Sequence, residues 1–158
     1  TTLIAVAHRH GVVDDRPRVG FLTGWGKWRG AVCTSVSHDS HNLTVFGGNA
    51  QDMAVAANAV IAAGGGMAVA SNGQIDVLLP LPLCGLLSEA SMRDVADQFT
   101  AIRSATDNIV DWNPPYLVFK ALFGATLACN IGPHQTDRGI ADVISDTVLE
   151  TPVLEVLA

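Results

Sequence analysis

The 158-residue chain is expected to fold as an α+β layered sandwich, a mostly antiparallel β-sheet with helices packed on its outer faces. Three observations predict this. Short apolar, β-branched runs come first, a capped amphipathic helix follows them, and an Asn-Gly hairpin signal then leads to a second amphipathic helix. The length suits one domain over residues 1–158, large enough to bury a core. There is no initiator Met and the chain opens directly on a strand-like run, so it is expected to be a piece of a longer chain.

Thr2 to Ala7 is short, apolar and β-branched, which predicts a buried strand. His8-Arg9-His10-Gly11 and a polar loop from Val12 to Arg18 follow, then a second strand over Val19 to Thr23. Gly24-Trp25-Gly26-Lys27-Trp28-Arg29-Gly30 holds too many glycines for a regular element and predicts a distorted turn whose tryptophans pack on a neighbour. Strands are expected at Gly30 to Val36 and Leu43 to Phe46. Asn49 is placed to cap a helix from Ala50 to Ala63, with Asp52 in capping-box position and Met53, Ala57, Val60 and Ile61 on its apolar face.

Gly64-Gly65-Gly66 supplies the left-handed stop; a phosphate loop would precede a helix instead of ending one. Met67 to Ala70 and Ile75 to Leu79 form a hairpin across Ser71-Asn72-Gly73. Leu79-Pro80-Leu81-Pro82-Leu83 must leave the sheet or lie on its edge, since proline cannot donate to a ladder. Ser88 or Ser91 caps a second helix to about Ala105, with Met92, Val95, Ala96, Phe99 and Ile102 in one stripe. Pro115 to Phe123 is expected to be a short helix. The remainder alternates the apolar runs Ala125–Ile131, Ile140–Ile144 and Val153–Leu157 with a polar stretch, Gly132 to Gly139.

The net charge of −6, with only nine scattered Lys and Arg, excludes a nucleic-acid interface built on a basic stripe. No apolar run reaches the roughly 20 residues that span a bilayer, and the start lacks the basic segment of a signal peptide. Cys33, Cys84 and Cys129 are far apart and odd in number, which predicts buried, reduced thiols in a cytoplasmic protein.

The polar cluster Ser37-His38-Asp39-Ser40-His41-Asn42 interrupts a chain that is 49% hydrophobic and 15% charged. Titratable groups between two strands sit at a sheet rim, where sites are commonly built; a turn whose Asp and Asn cap their own backbone is the competing reading. His38 and His41 would diverge on a strand but can converge in a turn, with Asp39 to orient an imidazole for proton transfer. His8 and His10 share one face of a strand end, a spacing that suits zinc, manganese or iron if a third ligand joins them. Thr1 as an N-terminal nucleophile lacks a maturation context. Thr136-Asp137-Arg138-Gly139 is read as a salt-bridged turn.

In order along the chain, Arg9-His10-Gly11, Val19-Gly20-Phe21, Gly24-Trp25-Gly26-Lys27 and Arg29-Gly30-Ala31 lead to Ser35-Val36-Ser37-His38-Asp39-Ser40-His41-Asn42. Gly47, Asp52-Met53-Ala54, Gly64-Gly65-Gly66, Leu81 to Ser88 and Thr136 to Val143 complete the series. This series resembles the C-terminal domain of adenine deaminases, in the amidohydrolase superfamily, over nearly the whole chain. The resemblance implies hydrolytic deamination of adenine to hypoxanthine and ammonia by a longer, homo-oligomeric enzyme. It also implies a divalent metal (manganese or iron, with zinc as the alternative) held by an N-terminal TIM barrel that these residues are too few to contain.

Arg9, His10, His38, Asp39, Ser40, His41 and Asn42 are then expected to face the active site, completing or covering it. His8 falls outside the family pattern. The segment Phe123 to Gln135 also departs from the usual Leu/Pro-rich stretch, which admits a related purine as substrate. Two further alternatives are a non-catalytic association domain and a self-contained metallohydrolase using His8, His10, His38 and His41.

Overall fold

The structure, a computed structural model, describes residues 1–12, 14, 16–111 and 124–150. The expected helix from Pro115 to Phe123 and the run from Val153 to Leu157 lie outside the described residues. The architecture is the expected α+β sandwich. Six antiparallel strands, β1 (Thr2–Ala7), β2 (Arg18–Leu22), β4 (Ala31–Thr34), β5 (Leu43–Gly47), β6 (Gly66–Ser71) and β7 (Gln74–Pro80), form one sheet in the order β2-β1-β5-β4-β6-β7. Helix α1 (Ala50–Ala62) covers one face and α2 (Met92–Ile109) the other.

The period of two along each strand sorts side chains by size. Ala5, Ala31, Cys33, Ala68 and Ala70 pack toward α1, so that helix lies close to the sheet. Ile4, Val6, Val32, Phe46, Met67 and Val69 point the other way, with Ile102 and Ile109 of α2. Phe46 is fully buried and is flanked by Trp25 and Trp28, with ring centroids 5.9 and 6.3 Å away. The glycine-rich segment does pack its tryptophans on a neighbour. It also contains a short strand, β3 (Lys27–Trp28), paired with β8 (Val110–Asp111) directly after α2.

Asn49 caps α1: its Oδ1 accepts the Asp52 N–H at 2.8 Å. Asp52 does more than close the cap. It is buried, and its Oδ1 accepts the Gly73 N–H at 2.7 Å, tying the start of α1 to the β6–β7 turn. The buried face of α1 is Asp52, Met53, Ala56 and Val60; Ile61 is 61% exposed, because 100° per residue carries it off a stripe already fixed by Val60. Asn49→Ala is expected to cost about 1 kcal/mol in urea denaturation, the usual worth of an N-cap.

Gly64 and Gly65 return N–H groups to Ile61 and Val60, which terminates the helix as expected. In the hairpin, Asn72 and Gly73 both have positive φ, the type I′ arrangement. β7 is an edge strand that stops at Pro80. Ser91, not Ser88, caps α2, which runs four residues beyond Ala105. Its buried residues are Ile102, Thr106 and Ile109, while Met92 is 88% exposed at the first turn.

A feature not foreseen is a small three-stranded sheet in the order β11-β10-β9: β9 (Pro133–Thr136), β10 (Gly139–Asp142) and β11 (Thr147–Leu149). β9 arises within the polar stretch, where Gln135 buries its amide against the Arg18 carbonyl at 3.3 Å. Of the cysteines only Cys33 is buried, and burial raises its thiol pKa far above the ordinary range. Cys84 and Cys129 are exposed, correcting the expectation for them, because both sit in turns outside the sheet. No helix among the described residues is long and apolar enough to cross a membrane.

Candidate functional site

The end of β1, the β4–β5 connection and the turn between β9 and β10 converge at one rim of the large sheet. Three buried hydroxyls lock the base of the β4–β5 loop. Ser37 Oγ lies 2.8 Å from Thr126 Oγ1 and accepts from Thr44 Oγ1 at 3.1 Å. Ser35 acts as a second hub: its Oγ accepts the Gly66 N–H at 2.7 Å and donates to the Gly85 carbonyl at 2.6 Å. Above this base His38, Asp39 and Ser40 are exposed, His41 is half-buried and Asn42 is buried.

Arg9 leaves the end of β1 and spans two loops. Its Nε donates to the His41 carbonyl at 2.5 Å, and a terminal nitrogen donates to the Cys84 carbonyl at 2.9 Å. His10 Nε2 donates to the Ser40 carbonyl at 2.9 Å. Both β1-end side chains thus hold the polar loop by its backbone, while the side chains of His38, Asp39 and Ser40 stay exposed. His41 has positive φ and folds back on the loop base, where its Nδ1 accepts the Ser37 N–H at 3.3 Å. Burial, then the nearby His38, Arg9 and His10, push its imidazole pKa below the ordinary value. With Nδ1 as acceptor, Nε2 carries the proton. Asn42 Oδ1 is buried with no hydrogen-bond partner among the described residues.

His8 was not singled out by the family pattern, yet it ties two of the motifs together. Its Nδ1 donates to Asp137 Oδ2 at 3.1 Å and its Nε2 accepts the Val12 N–H at 3.3 Å. The Thr136–Gly139 turn is therefore hydrogen-bonded through Asp137 to the end of β1 and not salt-bridged within itself. Its own closure comes from Thr136 Oγ1, which donates to the Gly139 carbonyl at 2.8 Å and accepts the Arg138 N–H at 3.1 Å. A cleft of about 270 Å³ opens between the two motifs, with Asp39 and Ser40 on one wall and Gln135, Thr136, Asp137 and Arg138 on the other. Proximity of these motifs could not be read from sequence: they meet through the His8–Asp137 and Ser37–Thr126 contacts, which span 129 and 89 residues.

The rings of His8 and His10 meet edge to face at 5.4 Å, so the strand end does bring them together. They do not fit a metal as they stand, because His8 uses both nitrogens on Asp137 and Val12 and His10 turns to Ser40. His38 and His41 also converge, with ring centroids at 6.4 Å. The four histidines are not gathered within ligand distance of one another. Among the described residues, the one group of three potential ligands within 4.8 Å is His38, Asp39 and Cys129. Sequence reasoning missed Cys129 because it lies in an irregular turn far along the chain.

A family model described as the adenine deaminase C-terminal domain matches residues 1–147. "Adenine deaminase 2" of Rhizobium johnstonii is 70% identical over 156 residues, which are 99% of this chain and 26% of that protein. "Adenine deaminase" of Serratia proteamaculans is 52% identical over 141 residues, 89% of this chain and 24% of the relative. "Adenine deaminase" of Cereibacter sphaeroides is 43% identical over 143 residues, again 89% of this chain and 24% of the relative. The chain thus spans about a quarter of the length of the curated relatives it matches.

Proposed function

The chain belongs to the adenine deaminase C-terminal domain family, and from that premise we propose that it closes the active site of a metal-dependent adenine deaminase. The overall reaction adds water at C6 of adenine and releases ammonia, leaving hypoxanthine. The metal would activate that water from the barrel domain of the same protein, a cytoplasmic homo-oligomer in this reading. The observation that carries the proposal is the way Arg9 and His10 hold the loop by the carbonyls of His41 and Ser40. A loop gripped by its backbone presents His38, Asp39, Ser40 and the half-buried His41 to a partner surface in fixed positions.

In this reading Arg9 and His10 are positioning residues. Ser40, exposed on the loop, would contact the substrate, and the loop would exclude bulk water. The isolated chain is expected to make no hypoxanthine. The alternative of a non-catalytic association domain draws on Val19 and Phe21, which are 44% and 57% exposed beside an apolar cleft lined by Leu3, Val45 and Met53. A related purine as substrate draws on the distinctive segment from Cys129 to His134.

Mutation separates these readings. In the full-length protein, His38→Ala and His41→Ala are each expected to lower turnover on adenine at least about tenfold, some 1.4 kcal/mol of barrel-plus-domain catalysis. Assembly, checked by gel filtration, should be unchanged. Turnover equal to wild type with intact assembly would remove the loop from the active site.

A further inference from the structure

We propose that His38, Asp39 and Cys129 form a binding site for a divalent transition metal, zinc by preference, on the surface of this domain. The site lies on the loop that the proposed function turns toward the barrel, and its test is read at Cys129 and not through adenine turnover. Ligand atoms from all three residues lie within 4.8 Å of one another. The Asp39 carboxylate is already in contact with His38 Nδ1. Cys129 comes from a turn some 90 residues away in sequence, so its presence beside this pair is a product of the fold.

The scaffold beneath the group is fixed. Ser37, next to His38, shares a buried hydroxyl–hydroxyl hydrogen bond of 2.8 Å with Thr126, three residues before Cys129. The same Ser37 hydroxyl accepts from Thr44 on β5. The two ligand-bearing segments are therefore held together whether or not an ion is present, which lowers the entropy lost on binding.

Donor chemistry selects the ion. One thiolate, one imidazole and one carboxylate suit zinc or cobalt, whereas magnesium and calcium take oxygen ligands almost exclusively. Three protein ligands leave a fourth tetrahedral position for water or an incoming group. As the metal–sulfur bond forms, the Cys129 Sγ–H bond breaks and its proton goes to solvent, so affinity should rise with pH. All three residues are exposed, which gives the ion a path in.

Alkylation of the full chain, read by mass spectrometry at each cysteine, tests the site. Cys84 is exposed and serves as the unprotected control; Cys33 is buried and labels only if the chain unfolds. One equivalent of zinc is expected to slow Cys129 alkylation at least about tenfold and leave Cys84 unchanged. His38→Ala and Asp39→Asn should remove that protection, since loss of a ligand exceeds the roughly 10–100-fold cost of losing an outer partner. Equal Cys129 rates with and without zinc would overturn the proposal, as would protection that survives both substitutions. If a variant exposes Cys33, cobalt absorption decides: a thiolate-to-cobalt band lost in Cys129→Ser and kept in Cys84→Ser supports the site, and any other pattern overturns it.

Discussion

Gly66→Ala is expected to abolish stable folding, at a cost above about 4 kcal/mol, whereas Gly64→Ala two positions earlier is expected to cost only about 1–2 kcal/mol. Both residues have positive φ, +138° at Gly66 and +76° at Gly64. What separates them is space. A Cβ on Gly66 would lie 2.1 Å from the Leu79 carbonyl oxygen and 3.1 Å from the Leu81 nitrogen, all of it backbone. The strand cannot retreat, because the Gly66 N–H is bound to Ser35 Oγ and its carbonyl accepts the Ser35 N–H at 2.9 Å. At Gly64 the nearest atom to a new Cβ is Pro82 Cα, at 3.7 Å, an ordinary contact. Only the left-handed backbone penalty then remains. Urea denaturation followed by circular dichroism measures both; similar costs at the two positions would show that close backbone approach does not govern this corner.

The same corner shows what the sequence could and could not convey. Three consecutive glycines after an apolar helical stripe announce a helix stop through backbone conformation alone. That β7 passes within contact of Gly66, and the loop after it within contact of Gly65, is a tertiary fact with no local signal. Strand β1 and the Asn72-Gly73 hairpin were legible because period, β-branching and turn chemistry all act within a few residues. β9 was not, since Pro133-His134-Gln135-Thr136 has a polar pattern and is ordered by pairing with β10 and by burial of Gln135 against Arg18.

The site divides in the same way. His38 to Asn42 stood out as titratable groups in an apolar chain, and Arg9 and His10 entered through the order of motifs. The His8–Asp137 pair, the Ser37–Thr126 bond and the approach of Cys129 to His38 span 89 residues or more. Such contacts exist only once the sheet has closed.

Arg9→Ala is expected to lower stability by about 3 kcal/mol and to loosen the candidate site selectively. Its guanidinium makes two charge-assisted hydrogen bonds to backbone carbonyls, each worth about 1.5 kcal/mol at the lower end that suits partly exposed partners. The two acceptors, His41 and Cys84, lie on different loops, so one side chain fixes their separation. A Cβ at Gly85 would fall 2.9 Å from the same guanidinium, which shows how closely that loop lies against it. Gly85 in turn receives the Ser35 hydroxyl, completing a bridge from the polar loop through Arg9 to the corner at Gly66. Arg9→Lys should recover less than half of the loss, because a single ammonium cannot span both carbonyls in a fixed fork. Hydrogen exchange distinguishes this bridge from general destabilisation. Amides of residues 37–42 should exchange faster in Arg9→Ala while those of α1, which Arg9 does not touch, keep their protection relative to global stability. Unchanged exchange across 37–42 would mean that the hydroxyl trio of Ser37, Thr44 and Thr126 holds the loop without Arg9.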